Sequence, residues 1–263
     1  MMKRLLLILG LLFVGIVGVI FWNALGRSQR TFNGKPESYW IDSLAGGFNP
    51  TVDEEWRALG SQGVPILLEA LDMQPGPLGK AYFKLWPKLP ARLHKLLPPP
   101  VDYVRIRASA WGRLARPGTK ANISLSHVDP ALKDTDWGVR MNTLVCLGRV
   151  VLPNSEVGKD QFLAVIIGVA EDPRMEVRMS AVACLGHYTN RTDLVIPALS
   201  NALADPYPDV RIRAAMALYK VDPQAAERLG ALTVAYDCLK SSGVFGSGRL
   251  AEQFLSKLGK LPP

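Results

Sequence analysis

Apolar and polar residues alternate with a helical period along most of this chain, and from its middle onward the pattern repeats. "DPRMEVRMSAVACLG", Asp172 to Gly186, and "DPYPDVRIRAAMALY", Asp205 to Tyr219, are one phrase written twice, 33 residues apart. Aligning the Val-Arg pairs gives Val104-Arg105, Val139-Arg140, Val177-Arg178 and Val210-Arg211, spaced by 35, 38 and 33 residues. Three residues after each arginine stand Ala108, Thr143, Ala181 and Ala214, and seven after stand Gly112, Leu147, Leu185 and Leu218. These offsets place valine, a small residue and leucine on one face of a helix. An aspartate stands six residues before the arginine in three copies: Asp134/Arg140, Asp172/Arg178 and Asp205/Arg211. The last two continue as Asp-Pro, which reads as a helix start with a capping acceptor and a proline where no donor is needed.

Each Val-Arg helix is followed by a second apolar one, with Phe162, Val165, Ile166 and Val169 in one unit and Val195, Ile196, Leu199 and Leu203 in the next. The predicted unit is a helical hairpin. A lone hairpin cannot bury its apolar faces, whereas stacked hairpins share a continuous core, so each unit presents its neighbour with nearly the same surface. "EEWRALGSQGVPILLEALD", Glu54 to Asp72, reads as a divergent first unit. At the other end, Asp222 and Pro223 cap a further helix, and "RLAEQFLSKLG" supplies a terminal cap with a polar outer face.

The amino terminus departs from this pattern. Lys3 and Arg4 precede a run from Leu5 to Trp22 with no charged side chain. As a helix it would rise about 27 Å, close to the roughly 30 Å of a bilayer core. An uncleaved signal-anchor is expected there in preference to a removed leader, whose apolar core is shorter. The basic residues flanking the run are nearly balanced, and a short basic leader before a long domain favours an extracytoplasmic, periplasmic placement of the bulk. The expected organisation is residues 1–27 as transmembrane anchor, 28–50 as linker and amino-terminal cap, and 51–263 as the repeat array, with 73–100 inserted and 241–263 closing it. Within "NGKPESYWIDSL", a short helix is expected to pack Tyr39, Trp40 and Leu44.

At 48% hydrophobic and 8% aromatic the chain can build a sizeable core, and its net charge of +8 draws it towards anionic surfaces. Five of those charges lie in Met73 to Pro100, where Lys80, Lys84, Lys88, Arg92 and Lys95 occur with no acidic residue. Pro87 and Pro90 exclude one long helix here, so two short amphipathic pieces are expected. Lys80, Lys84, Trp86, Lys88, Arg92 and Lys95 are candidates for membrane or partner contact. The competing reading packs Tyr82, Phe83 and Trp86 on the first repeat and leaves the lysines solvated, and phosphate contact is a third.

The three cysteines, Cys146, Cys184 and Cys238, read as buried thiols, the first two at matching positions. Cys184 and His187 make a lone pair, short of the ligand count zinc requires. Serine-hydrolase, phosphate-loop, zinc-protease and dinucleotide motifs are missing, and no cofactor is expected.

The pattern "DPxxxVRxxAAxALG" resembles the HEAT family of helical repeats, especially the short bacterial type also found in phycobilin lyase-like proteins. The resemblance covers Pro100 to about Lys240. It implies an all-α fold, a right-handed α-solenoid of about five HEAT-like hairpins preceded by the single transmembrane helix. It also implies a structural ladder between adjacent units through Asp134, Arg140, Asp172, Arg178, Asp205 and Arg211, whereas the unit around Arg105 has Pro99 where the acid would stand. The function expected is a non-enzymatic, membrane-anchored scaffold whose concave face, formed by second helices, binds a protein or peptide. A HEAT-like DNA glycosylase and a phycobilin lyase-like enzyme are the alternatives.

Overall fold

The computed structural model describes residues 30–46, 49–116, 119, 121–154, 159–241 and 245–261. The expected anchor at 1–27 lies outside them, and no helix among the described residues is long and apolar enough to cross a membrane. The chain divides into two compact units, residues 1–107 and 108–263.

In the first unit a small hairpin precedes the helices: β1 (Thr31–Phe32) pairs antiparallel with β2 (Lys35–Pro36). Asn33 and Gly34 form its turn with φ of 49° and 72°, the left-handed geometry that an Asn-Gly pair adopts readily. The segment 28–50, expected as a linker and amino-terminal cap, opens on this hairpin before its helix. The hairpin leads into α1 (Glu37–Ala45), α2 (Pro50–Leu59) and α3 (Val64–Leu71). Trp40 and Leu44 are fully buried, and Trp40 meets Trp56 edge to face at 5.1 Å. Their indole groups are satisfied: Trp40 Nε1 donates to the Phe32 carbonyl and Trp56 Nε1 to Ser43 Oγ. Lys35 and Tyr39 both reach Glu55, at 2.6 and 2.7 Å, fastening hairpin and α1 to α2.

Next come α4 (Pro77–Leu85), a 3-10 turn (Trp86–Lys88) and α5 (Ala91–His94), then α6 (Tyr103–Leu114), within which the boundary between the units falls. On α6 the expected register is wrong. Val104 is 37% exposed, whereas Ile106 is fully buried, so Ile106-Arg107 is the true counterpart of the later Val-Arg pairs. Ala110 and Leu114, both fully buried, then occupy the small-residue and leucine positions.

The second unit continues with α7 (Leu125–Leu132), α8 (Trp137–Cys146), a π-helical turn (Leu147–Val151) running into α9 (Leu152–Asn154), and α10 (Leu163–Gly168). There follow α11 (Met175–Leu185), α12 (Thr192–Ala202), α13 (Pro208–Val221), α14 (Pro223–Arg228), α15 (Ala231–Leu239) and α16 (Ser247–Lys257). Val139, Val177 and Val210 are fully buried, as are Thr143, Ala181 and Ala214 behind them. The Val-Arg helices α8, α11 and α13 pack on one another in a row, and α13 continues onto α15.

The hairpin phase differs from expectation. Across the aspartate turn α12 packs more extensively on α13 than on α11, and α7 packs on α8 and α10 on α11 in the same sense. The Val-Arg helix is thus second in its pair, and the helices expected to be second come first. Position in the turn also corrects the capping assignment. The helix caps are Asp136, Arg174 and Tyr207, two residues beyond the aspartates, and Pro173 and Pro206 precede the helices. Asp222 does cap α14, accepting from the Ala225 amide at 2.9 Å with Pro223 at the first helical position.

Candidate interaction surface along the arginine ladder

The repeated aspartate and arginine are joined in the same way at each step. Within a unit, the arginine NH1 donates to the carbonyl of its own aspartate at 2.8 Å: Arg140 to Asp134, Arg178 to Asp172, Arg211 to Asp205. Between units, the remaining fork grips the next carboxylate. Arg140 binds Asp172 at 2.7 and 2.9 Å, and Arg178 binds Asp205 at 2.7 and 3.0 Å. These are bidentate pairs, the geometry in which a planar guanidinium binds a carboxylate best. Their side chains are 6–12% exposed, so water screens them little. Hydrogen bonding to Asp205 holds Arg178 above its usual pKa. Each aspartate also accepts an amide two residues on, at 2.9 Å, which closes the turn. Arg211 ends the ladder, with no carboxylate of the described residues on its fork and Cys238 beside it.

A related bond locates the basic segment. Arg107 NH1 donates to the carbonyl of Met73, which follows α3 as Asp134 follows α7. The stretch from residue 74 to 100 therefore occupies the position of the tight turn in the later units. It builds a small structure of its own. Tyr82 and Trp86 meet edge to face at 5.6 Å, Trp86 stacks on His94 at 4.6 Å, and the Tyr82 hydroxyl donates to the Pro98 carbonyl. No residue of α4 or α5 is buried. Lys80, Lys84, Lys88, Arg92 and Lys95 are all exposed, and Trp86 is half-buried in the aromatic cluster.

The turn edge of the second unit carries residues that sequence reasoning missed. Trp137 opens α8, and the Arg174 guanidinium lies 4.7 Å from its ring centroid. Tyr207 caps α13, with Arg178 5.6 Å from its ring. Trp137, Tyr207 and Phe245 are 36%, 45% and 44% exposed, and the Phe245 amide donates to Asp209 in the first turn of α13. No repeat spacing marks them: Tyr207 stands two beyond Asp205, Trp137 three beyond Asp134, and Phe245 follows no ladder aspartate. The position two beyond each aspartate reads Asp136, Arg174 and Tyr207, and the next reads Trp137, Met175 and Pro208, so both change from unit to unit.

Residues 125–219 and 163–234 match the family model described as HEAT repeats. Both matched stretches lie within the second unit, together spanning residues 125–234. The two matches start at 125 and 163, separated as Val139 and Val177 are. No curated protein matches the chain. Solved structures similar to it include the designed armadillo repeat protein YIII(Dq)4CqI, at 16% identity, covering 84% of this chain and 92% of that one with a TM-score of 0.47. Kap121p is similar at 18% identity, covering 78% of this chain and 22% of that one with a TM-score of 0.44.

The core of the second unit holds the three cysteines. Burial pushes the Cys146 and Cys184 thiols up to about 12, and Cys184 donates to the Leu144 carbonyl at 3.1 Å. All three cysteines are free and buried. Among the described residues no group of three or more His, Cys, Asp or Glu could hold a metal ion.

Proposed function

We propose that this protein is a membrane-anchored scaffold in which residues 1–27 hold the chain on a bilayer and the HEAT repeats bind a protein or peptide without catalysis. The bulk of the chain is placed on the extracytoplasmic side by its leader. The observation that supports the binding reading best is the exposed edge formed by Trp137, Arg174, Tyr207 and Phe245. Large aromatic rings with a stacked guanidinium are the groups that dominate protein interfaces, because they contribute much area at little entropic cost. They stand where the amino-terminal ends of α8, α11 and α13 lie in a row, and helix amino termini favour acidic groups. The partner surface expected is therefore acidic and apolar.

The rival reading, binding to nucleic acid, is weakened by the ladder. Arg140 and Arg178 spend their forks on Asp172 and Asp205 and have none to give to phosphates.

The test is retention of partner by the full chain carrying Trp137→Ala and Tyr207→Ala together, against Gln253→Ala on α16 as control. Loss of the bound protein with the edge variant and retention with the control is expected. Unchanged retention by the edge variant, or salt-sensitive binding of a short DNA duplex by the wild type, would overturn the reading.

A further inference from the structure

The segment from 74 to 100 has the chemistry of a membrane contact rather than of a repeat. On α4, Leu78, Tyr82 and Leu85 share one face at i, i+4 and i+7, and Lys80 and Lys84 lie on the opposite one. Tyr82 and Leu85 are half-buried, but Leu78 is 64% exposed and Phe83 59%, and beyond α5 Leu96 reaches 78%. Three large apolar side chains thus stand open to solvent within one short stretch. Around them stand Lys80, Lys84, Lys88, Arg92 and Lys95, all exposed, none ion-paired to a carboxylate among the described residues. The segment itself contains no acidic residue. Unpaired cations beside exposed apolar side chains and interfacial aromatics match an anionic bilayer surface, where lysines meet headgroups and the apolar groups enter the acyl boundary.

We propose that this arm, projecting from the turn that Arg107 and Met73 close, lies on an anionic lipid surface. The proposal deepens the membrane reading above by naming a second contact and its lipid chemistry. A first contact through residues 1–27 needs no charge on the lipid, whereas the arm requires it, so the two are separable.

The experiment uses the full chain with vesicles of phosphatidylcholine alone or with phosphatidylserine added. Lysine acetylation at Lys80, Lys84, Lys88 and Lys95 is read by mass spectrometry. Protection of these lysines with the anionic vesicles only, reversed by high salt, is expected. Lys84→Ala and Lys88→Ala should each weaken the protection about fivefold. Leu78→Ser with Phe83→Ser should abolish it while leaving the melting temperature unchanged, since both side chains are already exposed. Equal labelling on both vesicle types, or protection by a DNA duplex in place of vesicles, would overturn the proposal. Flotation with phosphatidylcholine vesicles reports the anchor separately. Flotation with anionic vesicles alone would uphold the arm and remove the anchor, and flotation with both but no lysine protection would do the reverse.

Discussion

Asp172 shows how much one side chain carries in this array. Its carboxylate takes the Arg140 fork from the preceding unit and the Arg174 amide from its own turn, while its carbonyl takes Arg178 NH1. Asp172→Ala leaves a largely buried guanidinium without its counter-charge, and a loss of about 3 kcal/mol is expected in urea unfolding. Arg140→Met combined with Asp172→Leu should recover most of that loss, because an apolar pair of similar volume avoids the desolvation cost that the ion pair carries. The buried thiols give a pH dependence. Cys146 and Cys184 have folded values of about 12 against an unperturbed 9.0, so burial favours the neutral thiol. Their stabilising contribution is complete below pH 9.0 and is lost as pH rises towards 12. The urea midpoint should fall across that window, and iodoacetamide should leave both thiols unmodified at pH 8 until the chain is denatured. Glu55 acts in the opposite direction. Lys35 and then Tyr39 hold its carboxyl below the usual value, so its hold on the amino-terminal hairpin is present above pH 4.5 and lost as pH falls through the lowered value.

The helices themselves test how closely the units approach. Gly186, at the end of α11, would place a Cβ 3.2 Å from the Cβ of Ala217 and 3.4 Å from its Cα, so this glycine sets the spacing between α11 and α13. Gly186→Val should cost about 1–3 kcal/mol by forcing that contact apart. Gly168, in α10, meets nothing within 4 Å, and Gly168→Ala should gain about 0.5 kcal/mol of helix stability. Calorimetric melting of the two variants should move in opposite directions. At this scale the period was legible from spacing alone, because burial of Val139, Val177 and Val210 imposes it. The hairpin phase was not, since shifting a repeat by half a unit leaves its period unchanged and only packing across the aspartate turn decides. The register of α6 was missed for a related reason: Val104-Arg105 and Ile106-Arg107 stand two residues apart with equally apolar leads, and only burial separates them. The Asn33-Gly34 turn was written in the sequence but stood among residues read as a helix and its linker. The exposed edge was harder still. Trp137 and Tyr207 follow no period, and a residue under no stacking constraint leaves no pattern to read.

In the second unit these parts form a row of Val-Arg helices whose apolar faces pack and whose turn edges are bound by bidentate ion pairs. Such an array transmits order from neighbour to neighbour, so a broken rung should loosen the units on both sides of it. Hydrogen exchange on Asp205→Ala should rise in both α11 and α13 while the first unit stays protected. The ladder fixes the backbone of the turn edge, and the residues two and three beyond each aspartate differ from unit to unit. The most direct measurement is site-resolved crosslinking of the full chain in its native membranes, with a photoreactive residue at position 174 or 207 and a control at 253. The account predicts one protein partner captured from 174 and 207, absent from 253, and lost when Trp137 is replaced by alanine. Capture from 253 alone, or capture from the edge that survives Trp137→Ala, would contradict it.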